Sequence, residues 1–361
     1  GVVADVTPAA LPLINVVAGL TGLLGVTITP DTAVQVAGMP AVPTRAPSAT
    51  FAAGTGASQL AATGVTGHGV NVAVLDTGID NLPDFAGRLA GGIDLSGGHN
   101  PFQDGYGHGT FVAGLIASNG ISSGGRYVGE APGAGLVSVK VAKANGSTDL
   151  GTVIAGIQWT VANKGPLGIR VLNLSLGAVP TMPTVLNPLD RAVEAAWRAG
   201  IVVVAAAGND GPGNGTIVTP GDDPLVITAG ALDDNGTPQP TDDTMTTFSS
   251  VGPTSPDGWL KPDLVAPGRS LVSLRAPGST VDMSNPSSRI GSANFVGSGT
   301  SFSAGITSAA AALILQMHPG DSPNAVKGLL LGTASPGPVG SPLVDGHGAL
   351  DVYAAATSPP M

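Results

Sequence analysis

Short, nearly continuous apolar runs recur along the chain. Each is followed by a glycine- or aspartate-containing break and then by a longer stretch with helical spacing. "VNVAVLDTG" (70–78), "GLVSVKVAK" (135–143), "IRVLNLSLG" (169–177), "IVVVAAAGND" (201–210) and "DPLVITAGAL" (223–232) read as buried strands. Between them, "GTFVAGLIASNG" (109–120), "LGTVIAGIQWTVANK" (150–164) and "LDRAVEAAWRAG" (189–200) read as helices, the last stopped by Gly200. Ser322 and Pro323 carry the N-cap and first-turn signature that opens a late helix, "NAVKGLLLGTA". Strands that are apolar throughout, alternating with helices, predict an α/β fold: a doubly wound, mostly parallel β-sheet flanked by helices on both faces. In such sheets functional groups collect at the carboxyl ends of the strands.

The first fifty residues have a different texture. Residues 9–24 have helical spacing, and "GVTITP" and "AVQVAG" read as short strands. From 39 to 55 the composition shifts to Pro, Ala, Ser, Thr and Gly, which reads as a linker or processing region. The expected division is an N-terminal extension with its linker over 1–50 and one large domain over 51–361. The apolar stretch 9–26 is interrupted by Pro12, Asn15 and glycines, and no Lys or Arg precedes Arg45. It lacks both the basic flank of a signal peptide and the continuity of a membrane span, so it reads as part of a small folded unit. Any export signal would precede residue 1.

Composition narrows the function classes. Of 361 residues, 42% are hydrophobic and 11% charged, with 55 glycines and 31 prolines, which fits a compact fold with many tight turns. The formal net charge is -10 and no Lys/Arg cluster occurs, which argues against a nucleic-acid partner. The absence of cysteine excludes disulfides, zinc–thiolate sites and a cysteine nucleophile.

Four residues stand at the ends of the expected elements. Asp76 ends a strand, His108 opens a helix in "YGHGTFVAG", Asn209 ends the strand "VVVAAAGN", and Ser301 opens the long small-residue run in "GTSFSAG". Singly, each has a plain explanation: a turn aspartate, a bend at His-Gly, a turn asparagine and a serine N-cap. Together they form a chemical set. A serine hydroxyl becomes nucleophilic when an imidazole takes its proton, and a carboxylate on the other ring nitrogen fixes the tautomer. An Asn amide and N–H groups at a helix start can hold a developing oxyanion.

"VLDTGID", "GHGTFVAGLIA", "NLSLG", "AAAGN", "FSSVGPT", "KPDLVAPG" and "SGTSFSAG" together resemble the subtilisin-like serine peptidases, or subtilases, over about Gly67 to Ala355. The resemblance is strongest to the bacterial secreted type and implies an endopeptidase working through an acyl-enzyme on extended polypeptides. It implies Asp76 as the orienting carboxylate, His108 as general base and acid, Ser301 as nucleophile and Asn209 as oxyanion donor. It further implies a substrate bound as an added β-strand between Asn145-Gly146-Ser147 and Ser175-Leu176-Gly177. Two positions depart from the family pattern. Gly305 stands where the nucleophile block usually has proline, with no loss of activity expected. Val218 stands where relatives often have glycine at the floor of the P1 pocket, which implies a preference for small or medium apolar P1 residues.

The resemblance also implies a secreted protein needing no cofactor for catalysis. It reads residues 1 to about 48, with "LLGVTITPDTAVQVAG", as the end of a prodomain that assists folding and blocks the site, with processing near "TRAPSATF"; the other reading is a retained N-terminal extension that packs on the surface of the domain. The pairs Asp222-Asp223, Asp233-Asp234 and Asp242-Asp243 leave room for a structural calcium, although such pairs usually mark solvated loops. His68, His99, His318 and His347 read as surface or loop residues. A carboxyl–serine peptidase on the same fold would require a glutamate where His108 stands. An α/β-hydrolase would require Gly-x-Ser-x-Gly with the histidine last, and Ser301 is followed two residues later by Ser303. A catalytically silent binding relative would require the loss of a catalytic side chain, and all four positions are filled.

Overall fold

The computed structural model describes residues 31–36 and 49–359. The expected helix over 9–24 and strand over 25–30 lie outside the described residues. In chain order the strands are β1 (Ala33–Val36), β2 (Asn71–Asp76), β3 (Leu89–Asp94), β4 (Gly135–Lys140), β5 (Ser147–Asp149), β6 (Ile169–Leu174) and β7 (Leu176–Gly177). They continue with β8 (Val202–Ala206), β9 (Ile227–Asp233), β10 (Thr244–Met245), β11 (Leu264–Pro267), β12 (Leu271–Leu274), β13 (Arg289–Ile290) and β14 (Asn294–Gly297). The longer helices are α1 (His108–Ala117), α2 (Leu150–Ala162), α3 (Pro188–Arg198), α4 (Thr300–Met317) and α5 (Pro323–Gly332).

An eight-stranded sheet forms the centre, in the order β10-β9-β8-β6-β2-β4-β3 with β11 paired to β9. All its pairings are parallel except β10 with β9. The chain adds β4 and β3 on one side of β2, then crosses to add β6, β8 and β9 on the other. The winding therefore reverses at β2, which is where a doubly wound sheet opens a crevice at its carboxyl edge. The expected α/β architecture is the one observed.

β2, β4, β6, β8 and β9 are buried along nearly their whole length, as strands covered on both faces must be. Helix α1 is buried at every position and α4 from Thr300 to Leu315. A helix this uniformly apolar or small-sided belongs inside a fold. Among the described residues α4 alone is long and apolar enough to cross a membrane, and 89% of that stretch is buried in the protein. Gly305 lies against Val112 and Ile116 of α1, where the absent side chain lets the two helices approach. α3 is capped as its sequence suggests, by Asn187 with Pro188 in the first turn, and α5 by Ser322.

The expected linker over 39–55 is corrected at its end. Phe51–Gly54 is a short helix, and the Phe51 ring is buried in the core. Burial of one large aromatic ring outweighs the loop-like composition around it. The acidic pairs are also corrected: Asp222, Asp223, Asp233 and Asp234 are buried, and only Asp242-Asp243 lies toward solvent.

β1 is the one described strand from the N-terminal segment. It lies between β5 and β7, antiparallel to both, and makes a separate three-stranded sheet. Val34 and Val36 are buried while Ala33 and Gln35 face solvent, the alternation of a strand with one covered face.

Candidate active site

Asp76 is the last residue of β2, at the point where the winding reverses. His108 is the first residue of α1, and its Nδ1 lies 2.9 Å from both carboxylate oxygens of Asp76. Both side chains are fully buried. The fit of α1 to the end of β2 depends on Gly109, where an added Cβ would run into the carbonyl oxygen of Gly78 and come within 3.1 Å of the Asp76 Cβ. A carboxylate on Nδ1 makes that nitrogen the donor and leaves Nε2 as the basic position. His108 Nε2 is buried and has no hydrogen-bond partner.

Ser301 is in the first turn of α4, after Gly299. The next residue, Phe302, brings its ring to 5.7 Å from the His108 imidazole and 4.4 Å from Phe111, so α4 starts against α1. The Ser301 hydroxyl donates to the Ser175 carbonyl at 3.2 Å. In return the Ser175 hydroxyl donates to the Ser301 carbonyl at 2.9 Å. Asn173 Nδ2 donates to Ser175 Oγ, and Ser308 Oγ donates to Asn173 Oδ1. This buried chain fastens α4 to β6 and β7.

Asn209 follows β8. Its Oδ1 accepts from the Thr300 N–H at 2.9 Å and the Thr300 hydroxyl at 3.0 Å. With the oxygen held by the helix start, the amide nitrogen is the end left to donate. The Ser301 N–H lies in the first helical turn, which has no intrahelical acceptors. All four expected residues therefore converge where β2, β8, α1 and α4 meet.

Of the residues expected to bind substrate, Leu176, Gly177 and Val218 line a neighbouring cleft of about 590 Å3. Val36 pairs with Leu176, and Gln35 with both Gly177 and Ser147. The Val36 N–H also points to the Gly146 carbonyl, at 3.4 Å. Gly146, Ser147, Leu176 and Gly177 thus lie against a strand of the chain itself. Ser175 sits one residue further along, facing Ser301. Val218 fills the space between the two cleft walls: a Cβ at Gly208 would lie 2.9 Å from Val218 Cγ1, and one at Gly177 would overlap Cγ2.

Among the described residues, no three carboxylate or imidazole groups converge as metal ligands. Burial and the neighbouring carboxylates push Asp190 and Asp222 upward. Close by, the Lys327 ammonium takes the carbonyls of Pro224, Leu225 and Val226 at 2.8–3.2 Å and lies 3.1 Å from Asp263. An oxygen cage of this kind is filled by a protein cation.

Sequence reading missed Thr77, Asp104, Asn173, Thr300 and Ser308. Only Asp104 carries a local signal, as an aspartate four residues before a helix start.

The chain matches the subtilase family over residues 67–348, most of its length, and belongs to that family. Among its relatives, serine protease AprX of Bacillus subtilis (strain 168) is 47% identical over 271 residues, 74% of this chain and 61% of that protein. Subtilisin Savinase of Lederbergia lenta is 36% identical over 292 residues, 81% of this chain and 92% of that protein. Subtilisin NAT of Bacillus subtilis subsp. natto is 36% identical over 303 residues, 83% and 69% respectively. Fold class and family agree with the reading of the sequence.

Proposed function

We propose that this chain is a serine endopeptidase that hydrolyses extended polypeptides through an acyl-enzyme. The observation that carries the reading is the pairing of His108 Nδ1 with both oxygens of Asp76 while Nε2 is left unpartnered beside the start of α4. In the reaction, Ser301 Oγ attacks the scissile carbonyl carbon and its proton passes to His108 Nε2. Asp76 stabilises the imidazolium. Asn209 Nδ2 and the Ser301 N–H receive the oxyanion. The proton then goes to the departing amine, and water repeats the sequence in reverse to release the acid product. No step calls on a cofactor.

The finer readings form one set. Substrate adds as a strand between β5 and β7, the place that β1 holds. Residues 1–50 act as an intramolecular inhibitor and folding aid, with residues 51–361 as the peptidase domain; the seating of β1 supports this. Val218 restricts the P1 pocket to small or medium apolar side chains. The protein is secreted, as its subtilisin relatives suggest. The test is hydrolysis of a denatured polypeptide by the wild-type chain and by Ser301→Ala. Cleavage by the first alone supports the reading, and equal cleavage by both removes it.

A further inference from the structure

Asp104 is buried, 3% exposed, and the reaction as written does not use it. Its partners are four N–H or O–H groups. Oδ1 accepts from Thr77 Oγ1 at 2.8 Å, Gly107 N at 2.7 Å and Tyr106 N at 3.2 Å, and Oδ2 accepts from Thr110 N at 2.8 Å. Gly107 and Thr110 flank His108 and fix the entry of α1. Thr77 is the residue after Asp76. Its hydroxyl passes the contact on by accepting from the Gly109 N–H at 2.9 Å, and its own N–H donates to Asp76 Oδ1 at 2.7 Å. One carboxylate thus grips both the strand end that carries Asp76 and the helix start that carries His108.

Such a group is costly. Burial pushes the Asp104 carboxyl up, and hydrogen bonds from Thr110, Gly107 and Thr77 oppose that shift. Capping alone would need only contacts to α1, yet the chain through Thr77 reaches across to β2.

We infer that Asp104, acting through Thr77, is a positioning residue that sets the His108–Asp76 hydrogen bond. It touches neither substrate nor the reacting atoms. Its effect is to hold two side chains from different elements in one geometry, where an error of about 1 Å costs on the order of 10²-fold in rate. The inference rests on the proposed peptidase reading.

The test compares Asp104→Asn, Thr77→Val and Thr77→Ser with wild type, each as the full chain. Asp104→Asn turns an N–H toward donors that now meet oxygen. Thr77→Val keeps the branched shape and removes the hydroxyl, and Thr77→Ser keeps the hydroxyl. Two readouts are taken: kcat and KM on one peptide, and the low-field proton resonance of the His108 Nδ1–H hydrogen bond. The expected result is a fall in kcat of roughly 10- to 100-fold with KM within about twofold for Asp104→Asn and Thr77→Val. The resonance shifts or is lost in both, and Thr77→Ser restores rate and resonance. If Asp104→Asn does not fold, Thr77→Val decides. Folded variants with wild-type kcat and an unmoved resonance overturn the inference. A wild-type chain without hydrolysis, both intact and when begun near Ser48, counts against the peptidase reading instead, and the resonance alone then decides the role of Asp104.

Discussion

Ser301 and Ser175 hold each other through reciprocal hydrogen bonds, hydroxyl to carbonyl in both directions, at 3.2 and 2.9 Å. The proposed nucleophile is thereby held against the proposed substrate-binding wall, and His108 Nε2 has no hydrogen-bond partner. Rotation about χ1 is enough to move the Ser301 hydroxyl from one acceptor to another. Catalytic hydrogen bonds commonly tighten only when the reacting complex forms.

Asn209→Leu removes the amide donor together with the oxygen that accepts from the Thr300 N–H and hydroxyl. We expect kcat to fall about 10²–10³-fold with little change in KM, the scale found for loss of such a donor in a subtilisin. Steady-state kinetics on one peptide check this. A loss confined to KM would show that Asn209 serves ground-state binding.

Val218→Gly opens the space that the isopropyl group occupies between Gly177 and Gly208. The ratio of kcat/KM for a large aromatic P1 residue to that for alanine should rise about 10- to 200-fold. Peptides that vary only at P1 measure the ratio. If wild type already cleaves aromatic P1 residues best, Val218 does not limit the pocket.

Val36 is buried within the β5–β1–β7 sheet, so Val36→Asp places a carboxylate where its desolvation opposes docking of β1. Labelling of Ser301 by a fluorophosphonate in the full chain should accelerate roughly tenfold or more, since each 1.4 kcal/mol lost from docking is worth that factor. An unchanged rate would mean that β1 does not limit access.

Glu130 is fully buried, with Thr55 Oγ1 donating to Oε1 at 2.6 Å and no partner on Oε2. Burial raises its carboxyl to about 8, opposed by the Thr55 hydrogen bond. The folded state therefore keeps a proton that the unfolded chain releases above its ordinary value of 4.5. Stability falls as pH rises from about 4.5 toward 8, by up to about 1.4 kcal/mol per unit, and levels off above. Glu130→Gln removes this dependence. In a Ser301→Ala background, which prevents self-digestion, its melting temperature should gain on the Glu130 protein between pH 5 and 8. A constant difference across that range would contradict the assignment.

The parallel sheet and the four convergent residues were legible because each left a local mark. Buried strands are continuous apolar runs, and Asp76, His108, Asn209 and Ser301 sit where runs end. The edge strand β3, "LAGGID", was not legible, because it is only partly buried and interrupted by glycines. The contacts that orient the site were hidden for another reason. Thr77 with Asp104, Ser175 with Ser301 and Asn173 with Ser308 are 27, 126 and 135 residues apart, and only the fold brings them together. The buried carboxylates Asp222 and Asp223 read as loop residues for the same cause, since pattern does not show what covers a turn.

The most direct test of the central claim is intact-mass analysis after exposure to a fluorophosphonate, with peptide mapping of the adduct. It is run on the full chain and on the chain beginning near Ser48. The account predicts a single adduct on Ser301, formed faster in the shorter chain and absent when His108 is replaced by alanine. A folded shorter chain that takes no adduct, or takes it at another residue, would contradict the account.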